Sequence, residues 1–327
     1  MQRTKLVVLA ATVITSVGCS RDTGTAEPVA IDNRHAEFAV DVGSETAVDN
    51  TTGPYAAVMT TYYSLPAHTV YRPESLADVK SRLPIVSFGN GACINVGNMY
   101  APLLGELASH GYLVIATGPI GELPEFGDGP DSLPQQAPTE AMLRAIDWAV
   151  AENAREGGAL EGKLAEDRIA VAGHSCGGLQ AIASGADPRI GTVAILNSGI
   201  IRGGIPNPDG TTREPAGIVP ANEGDLQHLH TPVIYLMGGE ADQAQPSSEQ
   251  DFEQLVDIPV FHATLPVGHG GTWREPAGGR MAEVLLAWLD WQLKDKESAA
   301  ETFIGEPCGL CKNPDWTVKR KNWRVAD

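Results

Sequence analysis

Ser175 lies in a short segment whose residue types could support nucleophilic catalysis. Gly173-His174-Ser175-Cys176-Gly177 has the G-x-S-x-G spacing, and it follows an apolar run, Ile169 to Ala172, that predicts a buried parallel strand. The glycines permit a turn so tight that a Cβ there would collide with a neighbouring strand or helix. Such a turn exposes the hydroxyl and leaves the N–H of Cys176 at a helix N-terminus, facing a developing oxyanion. We therefore predict that Ser175 is a nucleophile and that Cys176 is an oxyanion donor.

Two further positions predict the groups that would activate this serine. A serine hydroxyl needs a histidine to take its proton, and that histidine needs a carboxylate to hold its tautomer. Asp242 follows the apolar run Pro232 to Met237, and His269 follows the next one, Val260 to Leu265. Because the carboxyl ends of parallel strands meet at one sheet edge, we expect both side chains near Ser175. Glu240 is the alternative acid, and an ordinary loop residue is the alternative interpretation at either position.

The loop Phe88-Gly89-Asn90-Gly91 follows another apolar run and is placed to supply a second oxyanion donor. We predict the backbone N–H of Asn90 for this role. Cys93 and Cys176 both adjoin the predicted oxyanion hole, so a disulfide between them would hold its two donors at a fixed spacing. Two small buried thiols are the alternative.

Strand and helix patterns alternate through most of the chain, which is typical of a mostly parallel sheet covered by helices on both faces. The predicted strands are 56–63, 68–71, 83–88, 112–116, 169–172, 192–196, 232–237 and 260–265. Predicted helices cover 98–110 and 280–293, begin at Pro138 and Thr139, and follow Ser175. The loop 117–137 and Trp273 are expected to border the ligand cleft, and 202–223 is too short for a large lid domain.

Composition limits the classes of function. A chain of 327 residues with 43% hydrophobic content can bury one large core, and we predict a single catalytic domain over 54–300. The formal charge of −18 argues against nucleic acid or an anionic membrane surface as a partner, because both would repel the chain. No dinucleotide or phosphate-loop pattern occurs, so neither a cofactor nor a metal is predicted. The pattern predicts no particular oligomeric state.

The chain ends predict export and a small structural crosslink. Arg3 and Lys5 precede a short apolar stretch, so residues 1–18 are predicted to be an export signal. Cys19 then resembles the acylated cysteine of bacterial lipoproteins, although Ser16 replaces the usual large aliphatic residue. Residues 19–53 are predicted to be a tether or a loosely ordered lead-in. The extension 301–327 carries Cys308 and Cys311, for which a disulfide clip is favoured over a redox motif or half of a zinc site.

The motifs at 88–91, 173–177, 239–242 and 268–270 resemble, in this order, those of the α/β-hydrolase superfamily. Within it the chain is similar to the branch of dienelactone hydrolases, chlorophyllases and cutinase-like polyester hydrolases, from about Leu83 to Leu293. Phe88 stands where many relatives have histidine, and Cys176 where polyester hydrolases commonly have methionine. Dienelactone hydrolases use a cysteine nucleophile, which Ser175 replaces. Some relatives place the acid one strand earlier, where this chain has Asn197.

The resemblance implies an α/β-hydrolase fold and a serine hydrolase that cleaves small-molecule or polymeric carboxylic esters. A peptidase or amidase with the same triad is one alternative, because the machinery for both bonds is shared. A non-catalytic surface lipoprotein that uses the fold for binding is another. The only membrane contact expected is through a lipid on Cys19, which would anchor the protein to the bacterial cell envelope; without the lipid, the protein would be periplasmic or extracellular.

Overall fold

A ten-stranded mixed sheet forms the centre of the fold. The computed structural model describes residues 41–123, 135–206, 210–215 and 217–323. The strands of this sheet are β1 (Val42–Val48), β2 (Ala57–Tyr62), β3 (His68–Pro73), β4 (Leu83–Gly89), β5 (Leu113–Thr117), β6 (Leu164–His174), β7 (Ile190–Leu196), β10 (Val233–Met237), β11 (Val260–Thr264) and β12 (Thr317–Lys321). Their order across the sheet is β1-β2-β3-β5-β4-β6-β7-β10-β11-β12. The strands from β5 to β11 in this order are parallel, and antiparallel strands complete both edges.

Helices cover both faces of the sheet. They are α1 (Ala101–Ser109), α2 (Ala141–Ala154), α3 (Cys176–Ser184), α4 (Glu223–Leu226), α5 (Gln245–Gln254), α6 (Gly279–Lys294) and α7 (Glu297–Ala300). Successive side chains of a strand point to opposite faces, so Val86 and Phe88 pack with α1 and α6 while Ile85 packs with α2 and α3. The predicted α/β class with a largely parallel sheet is thereby confirmed.

The sheet extends beyond the predicted domain at both edges. β1 lies in the stretch 19–53, where we predicted a tether, and β12 lies in the C-terminal extension. Neither strand has the buried apolar run that marks a central strand, because an edge strand is stabilised mainly by its ladder of backbone hydrogen bonds. The predicted export signal, Cys19, residues 19–40 and the loop centre at 124–134 lie outside the described residues.

Two segments without a clear apolar pattern also form structure. Within 202–223, where no element was predicted, two strands of two residues each, β8 (Ile205–Pro206) and β9 (Thr212–Arg213), pair in antiparallel orientation. α5 was not predicted either, because it is polar and buries only Ser248, Asp251 and Phe252. None of the helices in the described ranges has the length and apolar composition needed to cross a bilayer.

The C-terminal extension is attached to the core through an aromatic cluster on α6. Trp288 is fully buried, and its ring lies 5.2 Å from that of Phe303 and 5.7 Å from that of Trp323. Its Nε1 donates to the Oγ1 of Thr192 at 2.8 Å. Between Phe303 and Trp323, the Cys308–Cys311 disulfide closes a short loop, and Cys308 is buried in the same core.

Trp288→Ala is therefore expected to lower the free energy of unfolding by about 4 kcal/mol, because it opens a cavity and removes the hydrogen bond that Trp288 donates to Thr192. Urea unfolding followed by circular dichroism would measure the loss. Glu283→Ala, on the exposed face of the same helix, is the control and should change stability by less than about 0.5 kcal/mol. A loss below about 1 kcal/mol for Trp288→Ala would contradict this account.

Candidate active site

Ser175 occupies the turn between β6 and α3, with the left-handed φ of 53° that few non-glycine residues adopt. The turn is tight for the reason that the sequence indicated. A Cβ on Gly173 would lie 2.1 Å from the carbonyl oxygen of Gly177, and one on Gly177 would lie 2.0 Å from that of Gly89. The backbone N–H of Ser175 donates to the carbonyl of Leu196 at 2.9 Å, which continues the parallel ladder into the turn.

The structure brings Ser175, His269 and Asp242 into one hydrogen-bonded chain. His269 Nε2 lies 2.9 Å from Ser175 Oγ, and His269 Nδ1 lies 2.7 Å from Asp242 Oδ1. A carboxylate only accepts hydrogen bonds, so the proton of neutral His269 is on Nδ1 and its Nε2 accepts from the serine hydroxyl. Glu240, the alternative acid, has an exposed side chain. The arrangement can therefore move a proton from the hydroxyl to the imidazole.

Asp242 is fully buried and held in its ionised form. Burial alone would raise the pKa of its carboxyl group, but the hydrogen bond and the charge of His269, with backbone N–H groups of Ala244 and Gly238, lower it below its ordinary value. These two N–H groups each donate at 3.0 Å. Asn197 Nδ2 donates to the other oxygen, Oδ2, at 2.7 Å.

His174, the residue before the serine, links the turn to the loop of His269. Its Nε2–H donates to the backbone carbonyl of His269 at 2.8 Å, and its Nδ1 accepts from the hydroxyl of Tyr100 at 2.7 Å. Burial, together with the nearby charge of His269, lowers the pKa of His174 to about 4. His174 is therefore neutral near pH 7, with both ring nitrogens paired.

A disulfide joins Cys93 to Cys176, so the loop after β4 is tied to the first residue of α3. The second disulfide, Cys308–Cys311, is also present. Ala92 and Cys93 both have left-handed φ values, of 50° and 52°, in this loop. Asn90 is fully buried, and its Nδ2 donates to carbonyl oxygens of the same loop and of β5: those of Ile94, Val96 and Thr117.

A cleft of about 430 Å³ opens in front of Ser175. Cys176, Gly91 and Ala92 line it, whereas Asn90 does not, so the oxyanion role of Asn90 stays a prediction. Apolar side chains form much of the wall: Met99, Leu179, Ile201, Ile205 and Ile218. Arg213 and Arg274 also line the cleft, and among the described residues no carboxylate side chain does.

Trp273 was expected at the cleft border, and the structure corrects this. Its side chain is fully buried, and its Nε1 donates to Asn197 Oδ1 at 2.7 Å. A large apolar ring with one donor is stabilised in the core where that donor finds an acceptor. The sequence did not predict that Asn197 contacts Asp242 or that Tyr100 contacts His174. Asn197 ends β7 at the same sheet edge, which is a usable signal, whereas nothing local marks Tyr100.

At the C-terminal end of the loop 117–137, Gln136 Nε2 donates to the carbonyl of Ala92, in the loop after β4, at 2.8 Å. No group of three or more His, Cys, Asp or Glu side chains among the described residues is arranged to hold a metal ion. Neither a scan against protein-family models nor a search of curated proteins finds a match to this chain.

Acid should destabilise the fold through its buried neutral histidines. Between about pH 6.5 and 4 the unfolded chain binds a proton at His174 that the folded chain does not. The contribution of neutral His174 to the free energy of unfolding is therefore fully present above this window and is lost as the pH falls through it. His174 accounts for roughly 3 kcal/mol of that loss. Burial lowers the pKa of His262 to about 4 as well, which adds a loss of the same sign.

Urea unfolding at pH 7 and pH 4.5 would measure this effect. We expect His174→Gln to lose less stability between the two pH values than the wild type. His228→Gln, which changes an exposed histidine away from the cleft, is the control and should behave as the wild type. Equal losses of stability in all three proteins would show that His174 binds a proton as readily in the folded chain as in the unfolded chain.

Proposed function

We propose that this chain is a serine hydrolase with an α/β-hydrolase fold and that it cleaves carboxylic esters. The hydrogen-bonded chain of Ser175, His269 and Asp242 carries the proposal, because the three residues follow different strands yet contact one another, and Ser175 and His269 line the cleft. The largely parallel sheet and the turn at Ser175 agree with this fold.

In the proposed reaction Ser175 Oγ attacks the ester carbonyl carbon while His269 Nε2 takes the hydroxyl proton. The carbonyl oxygen becomes an oxyanion, and the bond to the alcohol oxygen then breaks as His269 returns the proton to the leaving alcohol. A water molecule attacks the acyl-enzyme in the same way, which releases the acid and restores Ser175. Asp242 keeps the imidazole in the required tautomer and stabilises its protonated form.

The oxyanion would be held by the backbone N–H groups of Cys176 and of the loop after β4. Cys176 begins α3, so its N–H has no acceptor within the helix. Asn90 is the predicted second donor, and the peptides of Gly91 and Ala92 are further candidates because these residues line the cleft. The Cys93–Cys176 disulfide would keep the two sides of this oxyanion hole at a constant distance.

We further propose that the protein is exported and anchored through a lipid on Cys19. Two disulfides support an oxidising compartment, because they persist outside the reducing cytosol.

Ser175→Ala is expected to lower kcat for a simple aryl ester by up to about 10⁶-fold, because the triad residues act as a unit. The same change should abolish labelling by a fluorophosphonate probe, which reacts with activated serines. Ser75→Ala, at an exposed position outside the cleft, should retain both activity and labelling. If the wild type is neither labelled nor active, the chain is a binding module instead.

The cleft wall predicts which esters are preferred. Arg213 and Arg274 place positive charge at the cleft of an otherwise acidic chain. Within the described part of the chain, the side chain of Arg274 has no hydrogen bond or ion pair, and that of Arg213 has only a 3.4 Å hydrogen bond to Gln243. We expect an apolar ester with a remote negative group to be hydrolysed faster than one with a remote positive group.

Monomethyl adipate, methyl heptanoate and methyl 6-aminohexanoate form a suitable panel, because their charge differs far from the ester bond. We expect kcat/KM to be about tenfold higher for the anionic than for the cationic ester at low salt, and the ratio to shrink in 0.5 M salt. Arg274→Gln should reduce the ratio, and Arg82→Gln, an exposed arginine outside the cleft, should not. A preference for the cationic ester would rule out this role of the arginines.

A further inference from the structure

Asn197 occupies the end of β7, beside the proposed acid and base. It is fully buried and has a φ of 47°, in the left-handed region that asparagine adopts more readily than most residues. Its backbone N–H donates to the carbonyl of Leu236 at 2.8 Å, so the residue is held by the ladder between β7 and β10. Its side chain therefore projects from a rigid position.

The amide of Asn197 joins both partners of the proposed proton transfer. Its Nδ2 donates to Asp242 Oδ2 at 2.7 Å and to the backbone carbonyl of Gly268, directly before His269, at 3.2 Å. The other donors to Asp242, apart from His269, are backbone N–H groups from its own turn. Asn197 is thus the one described side chain besides His269 that donates to this carboxylate.

Trp273 determines which way the amide faces. An indole N–H can only donate, so the atom of Asn197 that lies 2.7 Å from Trp273 Nε1 must be the oxygen. The amino group is then turned towards Asp242 and Gly268, which offer only acceptors. No flipped orientation of the amide would satisfy all three contacts, because it would place donor against donor and acceptor against acceptor.

We propose that Asn197 is a positioning residue that, oriented by Trp273, holds the Asp242 carboxylate and the loop of His269 in the geometry needed for proton transfer. The proposal rests on the hydrolase function proposed above. A carboxylate that lacks this donor can rotate about its side-chain bonds, and a misplaced imidazole transfers the serine proton less efficiently. The loss should therefore affect the chemical step more than substrate binding.

Trp273→Phe is the primary test, because it removes the indole N–H and leaves the backbone of Asn197 unchanged. We expect kcat for an aryl ester to fall by about 10- to 100-fold while KM changes by less than about twofold. Trp288→Phe is the matched control: it removes an equally buried indole N–H, one that donates to Thr192 instead of Asn197, and should leave kcat as in the wild type. Asn197→Ala should lower kcat similarly, and the double variant Asn197→Ala with Trp273→Phe should lose little more than either.

A second measurement is independent of turnover. The Nδ1 proton of His269, shared with Asp242, should give a downfield proton resonance in NMR spectra, identified by its loss in Asp242→Asn. We expect that resonance to shift or broaden in Trp273→Phe and Asn197→Ala and to be unchanged in Trp288→Phe.

If Trp273→Phe and Asn197→Ala lower only the free energy of unfolding, with kcat and the resonance unchanged, Asn197 is merely structural and the proposal is wrong. If the wild type shows the resonance but hydrolyses no ester and binds no fluorophosphonate, the hydrolase function fails, whereas the hydrogen-bond part of the proposal is still tested by the variants' spectra.

Discussion

The left-handed turn at Ser175 is the constraint on which the rest of the site depends. A serine with a φ of 53° costs free energy that the surrounding contacts must offset. Here the turn is held on three sides: the ladder hydrogen bond to Leu196, the close approach of Gly177 to Gly89, and the disulfide from Cys176 to Cys93. These contacts fix the relative positions of strand β6, helix α3 and the loop after β4 around the hydroxyl.

Loops that leave neighbouring strands are linked to each other by hydrogen bonds, in addition to the sheet. His174 donates to the carbonyl of His269, Asn197 to that of Gly268, and the N–H of Gly268 to the carbonyl of Gly238. A Cβ on Gly238 would lie 1.9 Å from the carbonyl oxygen of Gly268, so this approach requires glycine. Because each link ends on a backbone group and the side chains of His174 and Asn197 are buried, the loops hold one another in place without a ligand.

Charge is distributed unevenly over the molecule. The chain as a whole is strongly acidic, yet Arg213 and Arg274 line its cleft and the carboxylate of Asp242 is buried behind His269. A buried ionised acid next to a half-exposed imidazole stabilises the positive charge that the proposed mechanism creates on His269. Positive charge in the cleft wall offsets the repulsion that the acidic surface would exert on an anionic ligand.

The sequence by itself determined the α/β class and placed Ser175, His269 and the candidate acids Asp242 and Glu240 after strands, because apolar periodicity and glycine turns are local signals. Only the tertiary structure decided that Asp242 and not Glu240 contacts His269, that Trp273 is buried, and that Asn197 joins acid and base. It also added β1, β12 and α5, whose residues are largely polar or exposed. The helix α5 lacks an apolar pattern because it is polar, whereas the other features depend on contacts between residues far apart in the chain, and such pairings leave no periodic pattern in the sequence.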